Sequence, residues 1–92
     1  AAPGAALLEW RVFPNPVRDV LNLRYYLGAS SPLRVEVFTL RGHHEVLFQS
    51  TGALGPGFYE HRFAFADYPP GTYLLRISTN GGQQIRKVIK WD

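Results

Sequence analysis

The residues with the most evident capacity for chemistry are three histidines and seven carboxylates. His43-His44-Glu45 is the nearest approach to a metal-ligand cluster, because imidazole and carboxylate are common donors to zinc and related ions. Successive residues of an extended chain point to opposite faces, and His61 lies in a different apolar run, so this set reads as a solvated hairpin turn with no metal. The carboxylates Glu9, Asp19, Glu36, Glu45, Glu60, Asp67 and Asp92 are scattered. A hydrolytic pair needs a cleft as well as a separation, and 92 residues leave little room for one. The chain has no Gly-x-Ser-x-Gly elbow, phosphate-cradling glycine loop or His-Glu-x-x-His, and no cysteine for a thiolate, a disulfide or a metal thiolate. The expectation is a protein that is not an enzyme and carries no cofactor.

Non-covalent recognition is the remaining chemistry. Trp10, Tyr26, Tyr68 and Trp91 could stack on sugar rings, although a core this small needs most of its aromatics inside. From Arg76 onward the charges are Arg76, Arg86, Lys87 and Lys90 against Asp92 alone. Such a basic end either steers an anionic partner or protects an exposed strand edge. The ten Lys and Arg residues against seven Asp and Glu give a net charge of only +3. With no motif that interleaves bases and aromatics, nucleic acid is not the expected partner.

These residues must be positioned by strands. Val20–Leu27 alternates, with Leu21, Leu23, Tyr25 and Leu27 on one face. Leu33–Leu40 places Leu33, Val35 and Val37 inward and Arg34 and Glu36 outward. Gly42 marks a hairpin turn into Glu45–Gln49. Phe58–Phe65 sets Tyr59, His61, Phe63 and Phe65 on one face. Thr72–Thr79 sets Tyr73, Leu75 and Ile77 inward, and Tyr73 suits a tyrosine corner that also takes in Asp67 and Tyr68. The final run, Gln84–Trp91, alternates imperfectly, which predicts a bulge or an edge position. A short strand around Trp10–Phe13 runs into Pro14-Asn15-Pro16, where neither proline can donate to a ladder, so the strand stops or changes sheets.

Seven strands at this spacing predict an all-β, immunoglobulin-like, seven-stranded two-sheet β-sandwich. The composition agrees: six Phe, five Tyr and two Trp weight the chain toward strands, and nine Gly and seven Pro supply turns. The length fits one domain. Residues 1–7 read as the remnant of a linker and residues 8–92 as the domain. The chain has no methionine, which predicts a piece cut from a longer precursor. Apolar runs are too interrupted for a membrane-spanning helix.

Four boxes in order resemble a known family, the type A C-terminal sorting domains of the type IX (Por) secretion system of Bacteroidetes. Val12-Phe13-Pro14-Asn15-Pro16 resembles its opening box and Val35-Glu36-Val37-Phe38 with Gly42 its central hairpin. Tyr68-Pro69-Pro70-Gly71-Thr72-Tyr73 resembles its Leu-Pro-x-Gly-x-Tyr stretch, with Tyr68 in place of Leu, and Arg86-Lys87-Val88-Ile89-Lys90 its basic terminal strand. The resemblance implies a secretion signal that directs an upstream cargo through the periplasm and across the outer membrane, toward the outer membrane, cell surface or medium. It implies translocon or shuttle proteins as partners and removal by a sortase-like peptidase. Pro70, Gly71, Arg86, Lys87 and Lys90 are then candidates for partner recognition, and Pro14, Asn15, Pro16, Gly42 and Tyr73 residues that set the fold. An open edge also suits strand addition or a homodimer by edge pairing. The alternative is an accessory adhesive or carbohydrate-binding β-sandwich module, since fold does not fix function.

Overall fold

The computed structural model describes residues 7–91, so residues 1–6 of the expected linker and the terminal Asp92 lie outside the described residues. Seven strands follow in order: β1 (Leu7–Phe13), β2 (Val20–Leu27), β3 (Arg34–Thr39), β4 (His44–Gln49), β5 (Gly57–Ala64), β6 (Gly71–Thr79) and β7 (Gly82–Lys90). All pairings between them are antiparallel, and they form a three-stranded sheet, β1-β2-β5, and a four-stranded sheet, β4-β3-β6-β7. No helix occurs among the described residues.

Alternation in the sequence becomes a two-sided structure. In β2 the residues Leu21, Leu23, Tyr25 and Leu27 are buried while Val20, Asn22, Arg24 and Tyr26 stay more open. Val35 and Val37 of β3, Tyr73, Leu75 and Ile77 of β6 and Val88 of β7 meet them from the other sheet, and Trp10 of β1 and Phe65 complete one core. Burying each aliphatic side chain contributes roughly 1.5–3 kcal/mol, which a single-residue register slip would forfeit along a whole strand.

One sequence expectation is modified here and another is narrowed. Glu36, assigned to the outer face of β3, does point away from the core, yet it is only 2% exposed. Arg76 of the neighbouring strand and His44 of β4 fold over it, so the outward face is locally closed by long side chains. The irregularity expected in the last strand is an edge position, because the β6/β7 register is continuous; the register shifts lie between Leu7 and Glu9 of β1 and between Val35 and Glu36 of β3.

His61 lies on the inner face of β5 among rings: Tyr25 and Phe63 stack on it, Phe48 tilts against it, and the Tyr25 hydroxyl lies 2.9 Å from its Nε2. Burial pushes its pKa below the ordinary 6.5. The unfolded chain therefore takes up the proton first. Stability from this group is complete above about pH 6.5 and declines as pH falls toward the folded value. Denaturation curves from about pH 7.5 to about pH 5 should show a descending component in the wild type that His61→Gln lacks; identical slopes would refute it.

Candidate functional site

The boxes that resemble one another across a family are far apart in sequence and meet at one end of this molecule. The first is Pro14-Asn15-Pro16, whose two X-Pro bonds, Phe13–Pro14 and Asn15–Pro16, are both cis. Here the chain leaves β1 of the three-stranded sheet and reaches the free edge of β7 in the other sheet. The Asn15 amide does what a peptide unit would do in a ladder. Its Nδ2 donates to the Lys87 carbonyl at 3.0 Å and its Oδ1 accepts from the Ile89 N–H at 2.9 Å. The neighbouring prolines have no N–H to offer, and an asparagine side chain supplies both a donor and an acceptor. Val17 continues the seam: its N–H donates to the Ile89 carbonyl at 2.8 Å, and the Trp91 N–H donates to its carbonyl at 2.8 Å.

This seam closes the outer edge of β7 from Lys87 to Trp91. By the two-residue period of a strand, Gln83 and Ile85 are the β7 positions whose backbone groups still point outward from that edge. Ile85 is 54% exposed.

The second component is the corner before β6. The Tyr73 hydroxyl donates to the Pro69 carbonyl four residues upstream, the bond expected of a tyrosine corner. Tyr73 is buried, Tyr68 stacks on it, and the Tyr68 N–H donates to the Phe65 carbonyl at 3.0 Å. Burial, then the carboxylate of Glu45 that accepts a hydrogen bond from its hydroxyl, raise the pKa of Tyr68 above the ordinary phenol value. That bond ties the corner to β4. Pro70 and Gly71 stand exposed at the rim. Gly71 has φ +147°, and a Cβ there would meet no atom within 4 Å, so backbone conformation alone demands glycine.

The third component is the β3–β4 hairpin. Gly42 turns it with φ +93°, its N–H donating to the Thr39 carbonyl at 3.1 Å. Between hairpin and corner lies an open cleft of about 580 Å³. Val37 and Tyr73 help to line it, with Leu40 and Arg41 from the hairpin and Pro69 and Pro70 from the corner. Leu40 is 75% exposed, an apolar side chain held out at the rim.

The basic strand is less uniform than its sequence suggests. Arg86 stands over the Trp10 ring at 4.6 Å and Lys87 is exposed. Lys90 is only 8% exposed, its Nζ donating to the Trp91 carbonyl at 2.9 Å, and it pairs with Gly71 across the ladder. His43, His44 and Glu45 do not converge with His61, and no group of three His, Cys, Asp or Glu side chains able to hold a metal is found among the described residues. The four aromatics considered for sugar stacking are dispersed. Trp10 is buried and donates its Nε1–H to Gln84 at 2.9 Å, Tyr68 belongs to the corner, Trp91 lies under Arg18, and Tyr26 is on the far face of the other sheet.

A small β domain that draws motifs from both ends of its sequence into one exposed rim is built to present a surface, as an appended signal or binding domain does. Residues 11–91 match the model of the secretion system C-terminal sorting domain, and the chain belongs to that family, which serves type IX secretion. As a type IX sorting signal it interacts with the secretion machinery and marks its protein for export toward the cell surface or the medium. No significant match was found among curated proteins or solved structures.

Proposed function

We propose that the end formed by the Pro-Asn-Pro seam, the tyrosine corner and the β3–β4 hairpin is the surface by which this domain is read during export. The observation that carries this reading is the Asn15 amide on Lys87 and Ile89, which locks the first family box to the last across more than seventy residues. In this reading an upstream cargo passes through the periplasm, a translocon or shuttle protein docks on the rim of Leu40, Pro70, Gly71 and Lys87, and a sortase-like peptidase later removes the domain. Apolar Leu40 and Pro70 supply desolvated contact, and Lys87 supplies steering. The sheet orders β1-β2-β5 and β4-β3-β6-β7, together with the tyrosine corner, support an immunoglobulin-like reading of the fold.

The test is export of a fluorescent protein fused to residues 1–92 in a host with a type IX system, beside the same fusion carrying Leu40→Ser and Lys87→Ser. Both positions are exposed, so the double variant should fold, as circular dichroism would verify. Export of the first fusion and retention of the second is the expected result. Retention of both overturns the sorting role; equal export of both overturns this rim as the docking surface.

A further inference from the structure

The outer face of the three-stranded sheet lies on a different surface from the docking rim and has its own chemistry. Register places its side chains in rows roughly 7 Å apart along the strands. One row carries Glu9, Tyr26 and Phe58, and the next Arg11, Arg24 and Glu60. The third carries Phe13, Asn22 and Arg62. Phe58 is 76% exposed, the largest exposure of any bulky apolar side chain described, and its ring meets that of Tyr26 at 4.7 Å. Neither ring serves the core. Phe58 stands in water and the half-buried Tyr26 leans against it at 44°, so the pair offers an apolar aromatic surface to the C–H face of a sugar.

The charges on this face are unbalanced in a particular way. Arg11 and Arg24 are direct cross-strand partners, a like-charge pair that disfavours the ladder. Arg24 is neutralised from the other side by Glu60 at 2.8 Å. Arg11 and Arg62 make no ion pair with any described residue. They flank the Arg24–Glu60 pair across the three strands, about 12 Å apart by ladder spacing. An occupant that satisfies both guanidinium groups and covers the rings must be extended, carry spaced anions and offer apolar ring faces. We infer that the outer face of β1-β2-β5 binds an acidic polysaccharide, with Phe58 and Tyr26 stacking on sugar rings and Arg11 and Arg62 pairing with its carboxylates. This inference does not depend on the sorting role.

The experiment is an amide chemical-shift titration of the 92-residue chain with galacturonic acid oligomers, beside maltohexaose and poly-glutamate. Saturable shifts confined to residues of this face, with galacturonate binding well above both controls, are expected. Phe58→Ala should weaken binding on the order of five- to tenfold, as loss of one aromatic contact does. Arg11→Ser with Arg62→Ser should weaken it at least as much and flatten its salt dependence. No saturable shift, equal binding of poly-glutamate, or a response centred on Arg86 and Lys87 would overturn the inference; stronger binding of maltohexaose would overturn the part given to the arginines.

Discussion

A chain ending at Arg86 is expected not to fold. Removing Lys87–Asp92 takes away the β7 residues that pair with Gly71, Thr72, Tyr73 and Leu74 of β6, together with Val88, which is fully buried. It also strips both Asn15 side-chain bonds and both Val17 backbone bonds from the edge. Val88 alone contributes about 2 kcal/mol, and the four edge bonds about 1 kcal/mol each, before the lost ladder is counted. A domain of this length has a total stability on the order of 5–14 kcal/mol. Far-ultraviolet circular dichroism and a urea titration should show an unfolded or weakly structured chain, and a cooperative transition of wild-type midpoint would refute the expectation. The consequence reaches the biology. Loss of export on cutting the last strand reports loss of the fold, so a terminal truncation does not locate a recognition signal. Point changes at Leu40 and Lys87 separate the two because neither side chain is part of the core.

The same edge shows what a sequence can disclose. Alternation in Val20–Leu27 and Thr72–Thr79 is a local property, and the burial of Leu21, Leu23, Tyr25, Leu27, Tyr73, Leu75 and Ile77 follows it. The turn at Gly42 and the tyrosine corner are local too, since their bonds span only a few residues. Asn15 could be read as punctuation between two prolines, but its partners lie more than seventy residues away, and no local pattern names them. Ser31 is a parallel case: a loop residue in sequence, it is fully buried, exchanges both backbone bonds with Leu54 and accepts the Asn80 N–H through its hydroxyl. Periodicity assigns a side chain to a face; whether that face is wet depends on which long side chains from adjacent strands lie across it. Trp10 and Phe58 illustrate both outcomes among aromatics, one inside and one out, with only position in the ladder to distinguish them.

Glu36 is where that distinction has its largest energetic effect. Its carboxylate is surrounded on the outer face of the four-stranded sheet. Arg76 donates from Nε at 3.0 Å and Nη2 at 2.8 Å to Oε1, His44 bonds Oε2, and the Arg34 guanidinium stands 3.5 Å from the same oxygen. Phe38 packs into the cluster, with Arg76 over its ring at 4.6 Å and His44 stacked on it. Burial pushes the Glu36 pKa up, but the bonds from Arg76 and His44 and the charges of Arg76 and Arg34 outweigh it and hold the pKa below the ordinary 4.5. Glu36→Ala removes the one anion and leaves two guanidinium groups and an imidazole facing each other. The expected loss is about 3 kcal/mol, at the lower end for a broken buried pair because Arg34 can turn into water. Replacing Glu36 and Arg76 together by leucine should recover most of that loss, since an apolar pair beside Phe38 strands no buried charge opposite it. The pH dependence has a defined sign. Because the folded pKa is the lower one, the stabilisation is complete above the unfolded value and is lost as pH falls through the folded value. Urea titrations at descending pH should therefore show an acid limb in the wild type that Glu36→Gln lacks, and an unchanged limb in that variant would place the acid sensitivity on other carboxylates.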